Sequence, residues 1–325
     1  IPMLDPGSEG LVEYNITRMI MRIADPKRPV IGIMSSMPVM GVPAMPYAMP
    51  GQSNRGQDPW ILFQSLSEDY DARTVAQGVE SIEKDVDVLL MVHPKELSDQ
   101  TLYAIDQFVL GGGRLAAFVD PMCVCERQSA GQFAPQFSPP DSSTTLEKLT
   151  GAWGVKIEPG KIVADFDAAV ESNPMLLGLR RSNCNAGDAL TSSLQYMIAL
   201  FAGSIECGST KEVSITPLLT SSSKAGLVPA MNAQMDIESV LRDFRPGDTR
   251  LNMAVRIQGK LKTAFPAGRP GETHNAGPST NGTNVVVQPP AGLKESKEES
   301  TVILVADADM LNDRFCFEDE NILGY

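Results

Sequence analysis

Basic residues are scarce in this sequence. Its 27 lysines and arginines stand against 40 aspartates and glutamates, which leaves a formal net charge of −13. Because phosphate binding needs clustered Lys and Arg side chains, this balance argues against a nucleic-acid partner and against adhesion to anionic lipid. An acidic surface otherwise favours solubility and says little about function.

A long hydrophobic run is also missing. No stretch of about 18 apolar residues occurs, so we expect that this chain does not itself span a membrane. No signal peptide is recognisable. The chain begins at Ile1 rather than Met and stops at Tyr325, shortly after a strongly apolar segment, so both ends look cut. We therefore expect a fragment of a longer protein, with targeting or anchoring segments outside it.

Cysteine is present in an odd number and at irregular spacing. The five cysteines are Cys123, Cys125, Cys184, Cys207 and Cys316. This set fits neither a disulfide scaffold nor a zinc signature, and Cys123-x-Cys125 lacks the two-residue spacer of redox and zinc motifs. Cys184 and Cys207 could form a disulfide in an oxidising compartment, and unpaired, partly buried thiols are the alternative.

What the sequence does contain is an alternation of apolar strands and helices over its first 120 residues. Strands are predicted over 30–34, 86–92 and 114–119, and helices over 60–70 and 98–110. Asp58 and Ser98 are the predicted N-caps of the two helices. Strands that are apolar throughout are typical of a parallel sheet covered on both faces. The right-handed crossover rule then predicts an α/β fold with a doubly wound, mostly parallel sheet.

The rest of the chain forms a mixed α+β second half. We divide the sequence into an N-terminal helix and connector (1–25), a first α/β portion (26–125), a second, mixed portion (126–265), a flexible insertion (266–300) and a returning strand of the sheet (301–325). Short strands are predicted in the mixed portion at 155–157, 161–164, 195–201, 215–220 and 251–258. The insertion has few large apolar residues, which is typical of a segment without a packed core.

Three carboxylates follow predicted strands. Asp120 ends the strand at 114–119, and Asp307 and Asp309 follow the late apolar strand. Open α/β sheets bind ligands at the carboxyl ends of their strands, where carboxylate oxygens could hold Mg²⁺ or Ca²⁺. The alternative, which we favour, is that each aspartate caps a turn or a helix start, and we therefore predict no metal.

Cys123 and His93 also follow predicted strands, so a nucleophilic thiol with a neighbouring base is conceivable. The chain has two histidines, and no G-x-C-x-G or G-x-S-x-G elbow surrounds Cys123. No G-x-x-x-x-G-K-[ST] motif occurs, so the chain is not itself an ATPase. We predict neither a catalytic residue nor a cofactor, and we retain His93, Cys123, Asp120, Asp307 and Asp309 as candidate ligand-binding residues.

One stretch carries a family resemblance. Residues 86–98 (VDVLLMVHPKELS), 102–109 (LYAIDQFV) and 111–121 (GGGRLAAFVDP) resemble the auxiliary family of ABC transporters typified by the gliding-motility protein GldG. Further segments agree with that family, at 13–17 (EYNIT), 145–149 (TLEKL), 153–156 (WGVK) and 303–309 (ILVADAD). These motifs are structural signatures rather than catalytic ones.

The resemblance implies a periplasmic, extracytoplasmic domain, anchored to the inner membrane by segments outside this chain and lying beside an ABC permease and ATPase. It implies a fold similar to flavodoxin-like and class I glutamine-amidotransferase domains, and to a eukaryotic intraflagellar-transport domain. The amidotransferase Cys and His are not recognisable here, so no site is carried over.

The leading hypothesis is thus a non-catalytic auxiliary domain of an ABC-type, gliding-motility-related transport system that binds a partner or ligand. One alternative is an amidotransferase-like or hydrolytic enzyme that uses Cys123 and His93. Another is a carboxylate metal-binding module at Asp120 and Asp307.

Overall fold

The computed structural model describes residues 28–44, 56–129, 146–208, 212–235, 237–271 and 292–316, together with Ile16, Thr17 and Ile20. These last three residues are helical, and the rest of the helix predicted within 1–25 lies outside the described residues. The middle of the predicted insertion, residues 272–291, also lies outside them. Within the described parts, every helix is too short or too polar to cross a lipid bilayer.

Short strands outnumber helices along the described chain. The strands are β1 (Val30–Ser35), β2 (Asp71–Thr74), β3 (Val88–Val92), β4 (Arg114–Phe118), β5 (Val155–Ile157), β6 (Lys161–Ala164), β7 (Ala169–Val170), β8 (Asn173–Arg180), β9 (Tyr196–Leu200), β10 (Ile205–Cys207), β11 (Val213–Thr220), β12 (Gly226–Pro229), β13 (Asn252–Gly259) and β14 (Ser300–Val305). The α-helices are α1 (Ile61–Asp69), α2 (Asp99–Leu110), α3 (Val124–Ser129), α4 (Glu147–Ala152), α5 (Ala230–Met235), α6 (Ile237–Asp243) and α7 (Asp313–Cys316).

Seven of these strands form one mostly parallel central sheet, in the order β11-β13-β14-β4-β3-β1-β2. The strands β2, β1, β3, β4 and β14 run parallel, and β13 and β11 add an antiparallel edge. Numbered among themselves along the chain, the five parallel strands stand in the order 2-1-3-4-5. The mostly parallel α/β sheet that the apolar runs predict is confirmed, and the late strand β14 joins it beside β4.

Both faces of this sheet are covered, because successive side chains of a strand point to opposite sides. On one face Leu89 of β3 belongs to the same buried apolar cluster as Ile105 of α2 and Leu149 of α4. On the other face Val92 of β3 clusters with Phe63 of α1 and with residues of β8 and β9. The strands therefore have the two-sided covering that a continuous apolar run requires.

Sequence periodicity does not predict the edge strand β2. Its residues, DART, carry charge instead of an apolar run. Arg73 pairs with Asp71 at 2.5 Å and with Asp85 at 2.7 Å. Charges on an edge strand discourage pairing with another chain, so β2 ends the sheet on this side.

The second half adds three small antiparallel sheets: β5 with β10, β6 with β12, and β7-β8-β9. The strands predicted at 155–157 and 161–164 are confirmed as β5 and β6, and 195–201 contains β9. The long strand β8 is not predicted, although most of its residues are buried. Because β11 and β13 pair in the central sheet, the two halves interleave, and the boundaries between the portions stay a prediction.

The helices α1 and α2 begin in different ways: α2 is capped by the residue just before it, whereas the first amide of α1 binds a residue far away in sequence. Ser98 caps α2 as predicted, since its hydroxyl accepts a hydrogen bond from Thr101 N at 3.1 Å. The prediction of Asp58 as the N-cap of α1 is wrong, because α1 begins at Ile61 without a side-chain cap at the preceding residue. The amide of Ile61 instead donates to Asp313 Oδ1 at 2.7 Å.

The described flanks of the predicted insertion pack on α2. The buried Asp106 of α2 accepts hydrogen bonds from Thr263 Oγ1 at 2.6 Å and from Ala264 N at 2.9 Å. Towards the end of the predicted insertion, Leu293 N donates to Gln107 Oε1 at 2.6 Å. The chain therefore leaves and rejoins the sheet over the same helix, through defined contacts.

Candidate functional site at the carboxyl edge of the sheet

Three buried aspartates lie together at the carboxyl edge of the central sheet. Asp120 follows β4, and Asp307 and Asp309 follow β14, which pairs in parallel with β4. Val119 N donates to Val305 O at 2.7 Å, so the pairing continues to the residue before Asp120. None of the three aspartates is more than 1% exposed. The strand-end carboxylates singled out in the sequence thus lie on neighbouring strands.

Asp120 joins the turn after its own strand to the turn after β14. Its Oδ1 accepts a hydrogen bond from Met122 N at 2.8 Å. Its Oδ2 accepts from Ala308 N at 2.9 Å and from Asp309 N at 3.3 Å. One side chain therefore satisfies the buried amides of two loops, which have no strand partner.

Asp309 caps the start of α3. Its Oδ2 accepts from Val124 N at 2.8 Å, and its Oδ1 accepts from Cys125 N at 2.9 Å. The first amides of a helix have no acceptor inside the helix, so a side chain must supply one. Here the acceptor comes from a residue 185 positions away from Val124.

Asp307 contacts the second half of the chain. Its Oδ2 accepts from Leu200 N, at the end of β9, at 2.8 Å, and its Oδ1 accepts from Met310 N at 3.1 Å. Phe201, directly after Leu200, has a φ of 52°, so the chain turns through a left-handed residue where Asp307 binds it. Together the three aspartates link β4, β14, α3 and β9.

Within the described residues, no Lys or Arg side chain contacts the three carboxylates, so hydrogen bonds alone offset part of the cost of burying their charged forms. Burial raises the pKa of Asp120 well above its usual range, and the neighbouring Asp309 and Asp307 raise it further. Burial, followed by the charge of Asp309, raises the pKa of Asp307 to about 8. Asp307 therefore retains a proton at neutral pH that the unfolded chain would release.

The atoms around Asp120 approach the spacing of a metal site. An oxygen of Asp120, an oxygen of Asp309 and the Cys123 sulfur lie within 4.8 Å of one another. However, every carboxylate oxygen of the two aspartates already accepts at least one backbone N–H. This hydrogen bonding favours the interpretation in which the aspartates fix turns and a helix start.

The thiol of Cys123 faces a carboxylate and a thioether. Its Sγ lies 3.2 Å from Asp309 Oδ1 and 3.7 Å from Met37 Sδ. Burial raises the pKa of Cys123, and the charges of Asp120 and Asp309 raise it further. A nucleophilic cysteine needs the opposite surroundings, namely a positive neighbour or a base that lowers the pKa of its thiol.

His93 lies in a separate cluster with Glu126 and Lys95. Its Nε2 is 3.1 Å from Glu126 Oε2, and Lys95 Nζ is 2.7 Å from Glu126 Oε1. The hydrogen bond with His93, opposed by burial and reinforced by Lys95, lowers the pKa of Glu126 to about 2. His93 is buried with a left-handed φ of 46°, a conformation that costs about 1–3 kcal/mol and that its contacts must maintain. The imidazole therefore pairs with Glu126 while Cys123 pairs with Asp309.

A family model described as an ABC-type uncharacterized transport system matches residues 28–325. The chain belongs to this ABC-type transport family. The resemblance to ABC-transporter auxiliary proteins is thereby confirmed, whereas the closer likeness to GldG stays a prediction. No curated protein matches the chain. A solved structure titled "mmIFT52 N-terminal domain" is similar over 90% of this chain and 92% of that chain, with 10% identity and a TM-score of 0.40.

The ABC-transport auxiliary chain closes the point at which its strand order reverses. In a parallel sheet of this order, ligands bind between the loops that follow β1 and β3. Here Ser36 Oγ, after β1, donates to His93 O, after β3, at 2.5 Å. Met37 and Trp60 are buried in the apolar cluster that includes the ends of both strands. The described parts of the loops after β1 and β3 therefore contact each other at this position.

The described cysteines of the auxiliary chain form no disulfide. Cys184 forms a backbone bridge with Leu219 of β11, and Cys207 Sγ accepts a hydrogen bond from Asn252 Nδ2 at 3.4 Å. The sequence left open whether Cys184 and Cys207 form a disulfide or remain unpaired thiols, and in the structure both are free thiols.

Sequence reasoning missed three side chains at the carboxyl edge of this family member: Lys95, Glu126 and Asp313. Each has its partner on another element, so no local pattern marks its role. The available signal is position, because Lys95 and Glu126 follow closely after the predicted site residues His93 and Cys123. Their positions in the sequence place Lys95 and Glu126 near the carboxyl edge, but they do not reveal which side chains the two residues contact.

Proposed function

We propose that this chain is an extracytoplasmic, non-catalytic auxiliary domain that binds a protein partner within an ABC-type transport system. The observation that carries the proposal is the closed carboxyl edge of the sheet, where Ser36 binds His93 across the strand reversal. A small-molecule site needs an open crevice with convergent polar groups that are free to bind. The described polar groups at this edge bind the chain's own backbone or one another, which leaves the outer surface for a partner.

The enzyme alternative has no support from the thiol it would use. Cys123 is buried beside Asp309, and its negative neighbours disfavour the thiolate that would attack a substrate. His93, the proposed base, is engaged with Glu126. An inactive site in an amidotransferase-like fold is consistent with a binding role.

We further propose a flavodoxin-like, doubly wound fold for the parallel part of the sheet. The order 2-1-3-4-5 of the five parallel strands supports this assignment. The class I glutamine-amidotransferase likeness rests on the family resemblance. Under this assignment, β11, β13 and the small sheets are additions to a flavodoxin-like unit.

For location and partners, we propose a periplasmic domain that is anchored to the inner membrane by segments outside this chain and binds the permease and ATPase assembly of its own, gliding-motility-related system. The GldG-like motifs support both parts of this proposal. The net charge of −13 agrees with a domain that stays clear of anionic lipid.

Reporter fusions to the full-length protein test the location. Alkaline phosphatase, which is active only outside the cytoplasm, is fused next to this domain, and a cytoplasm-specific reporter is fused at the same position as the matched control. We expect activity from phosphatase alone. Activity from the cytoplasmic reporter alone would overturn the extracytoplasmic proposal.

Transport measurements in cells test the non-catalytic role. We expect Cys123→Ser to leave transport unchanged, because the thiol has no chemical task in this proposal. Cross-linking of the full-length protein in the same cells is expected to recover the permease. Loss of transport by Cys123→Ser with an unchanged melting temperature would favour the enzyme alternative instead.

A further inference from the structure

The segment after β14 crosses the carboxyl edge of the sheet and contacts three other elements; we call residues 307–316 the strap. Within it, Asp307 accepts from Leu200 N at the end of β9, Asp309 accepts from the first amides of α3, and Asp313 accepts from Ile61 N at the start of α1. One short segment therefore supplies a carboxylate to three elements that are distant from it in sequence.

The first amides of α1 and α3 donate to carboxylates of the strap, which is distant from both helices in sequence. The residue before α1, Trp60, makes no side-chain cap hydrogen bond, and the amide of Ile61 relies on Asp313. At α3, the amides of Val124 and Cys125 both donate to Asp309. Since unpaired N-terminal amides destabilise a helix, the starts of both helices depend on the strap.

The strap also covers apolar side chains. Leu311 and Phe315 are buried in the same apolar cluster as Met37, Trp60 and Phe63. The strap itself contains only a single 3₁₀ turn at Asp309–Leu311 and the four-residue helix α7. With no strand ladder of its own, the strap is held by its carboxylate hydrogen bonds and by the packing of Leu311 and Phe315, and such a contiguous unit opens separately from the strand ladders of the core.

We propose that the strap is a releasable latch, which detaches as one unit, frees the starts of α1 and α3 together and uncovers the apolar surface of Met37, Trp60 and Phe63. The coupling follows from connectivity, because Asp309 and Asp313 lie four positions apart on the same short segment. Detachment of the strap removes both caps at once. In an auxiliary transport protein, such a latch would change the carboxyl-edge surface without unfolding the sheet.

Residue-resolved hydrogen exchange on the intact chain, in low and increasing denaturant, tests the latch without any substitution. We expect the amides of Ile61, Val124 and Leu200 to open with one shared free energy, below that of the amides of β4 and β13. Separate opening free energies for α1 and α3, or opening only with global unfolding, would overturn the proposal.

A pair of variants tests the coupling directly. Asp313→Ala removes the contact with α1 and leaves every contact of α3 in place, so a merely local cap predicts faster exchange at Ile61 alone. The latch predicts that the amides of Val124 and Cys125 also exchange faster, by about five- to tenfold, the effect of one lost cap on the opening equilibrium. Asp58→Ala, the matched control at an exposed aspartate before α1, is expected to change none of these rates. An Asp313→Ala effect confined to α1 contradicts the latch.

Discussion

Burying a carboxylate costs free energy unless hydrogen bonds compensate the lost hydration. The hydrogen bonds that compensate the aspartates at the carboxyl edge also hold the surrounding backbone in place. Asp309 gains three donors and in return caps α3 and binds the Cys123 thiol. Asp120 gains three amide donors and connects two loops. At the scale of single residues, the same bonds satisfy the side chain and position the backbone.

Asp309→Ala should therefore destabilise the fold strongly. The substitution leaves the buried amide of Cys125 and the part-buried amide of Val124 without acceptors, and each unsatisfied buried group costs about 1–3 kcal/mol. We expect the free energy of unfolding, measured by urea denaturation, to fall by about 2–5 kcal/mol. Asp99→Ala is the matched control, because Asp99 lies in the first turn of α2 but pairs on the surface with Lys148. Equal losses in the two variants would contradict a capping role for Asp309.

The thiols give a second residue-scale prediction. Cys123 and Cys125 are buried, and burial together with nearby aspartates raises the pKa of each thiol, whereas Cys207 is exposed. Iodoacetamide labelling of the native protein, mapped by mass spectrometry, should modify Cys207 and leave Cys123 and Cys125 unmodified until denaturant is added. Rapid native labelling of Cys123 would show an activated thiol and revive the enzyme alternative.

At the scale of elements, sequence predicts what burial alone determines. The strands β1, β3, β4 and β14 are predictable because a strand buried on both faces is apolar throughout. The strand β2 is not, because its edge position calls for the charges of Asp71 and Arg73. The cap of α1 is not predictable either, since Asp313 reaches Ile61 through the fold and across 252 positions of sequence.

The same reasoning applies to the site. Asp120 and Asp307 are predictable as neighbours because each follows a parallel strand, and parallel strands end at one edge. Their partners are not predictable, because the amides of Met122 and Leu200 carry no residue-specific signal. A local pattern identifies a place in the fold, whereas the hydrogen bonds depend on how separate loops meet there.

The antiparallel edge of the sheet gives an element-scale prediction. Gly259 ends β13 with a φ of +139°, and a Cβ there would collide with Glu212 O at the start of β11. We expect Gly259→Ala to lower the free energy of unfolding by about 1–3 kcal/mol through backbone strain and displacement of β11. Gly78→Ala is the control, because a Cβ at Gly78 meets no atom within 4 Å. A thermal melt that shows equal effects would contradict the close packing of β11 and β13.

At the scale of the whole molecule, the buried protons decide how stability depends on pH. The pKa of Asp307 rises from 3.8 to about 8 on folding, so its contribution is complete below the unfolded value and is lost as the pH rises through about 8. Burial and the neighbouring aspartates act on Asp120 in the same direction. The half-exposed Glu126, whose pKa falls to about 2, contributes above its unfolded value and loses that contribution only in strong acid. Together these groups favour a molecule that is most stable in mild acid.

Between pH 5 and pH 8 the native chain therefore holds at least one proton that the unfolded chain has released, and its free energy of unfolding should fall by about 1.4 kcal/mol per pH unit for each such proton. Urea titrations read by the fluorescence of Trp60 and Trp153, both buried, measure this slope. Asp307→Asn, which cannot ionise, should remove the share of the slope that Asp307 contributes, although the loss of an acceptor lowers stability at every pH. Asp58→Asn, on the surface, should keep the full slope. Two results would contradict this prediction: a slope that persists unchanged in Asp307→Asn, or a wild-type protein that gains stability towards pH 8. Either result would mean that the carboxylate cluster is ionised in the native state and that some other group compensates its charges.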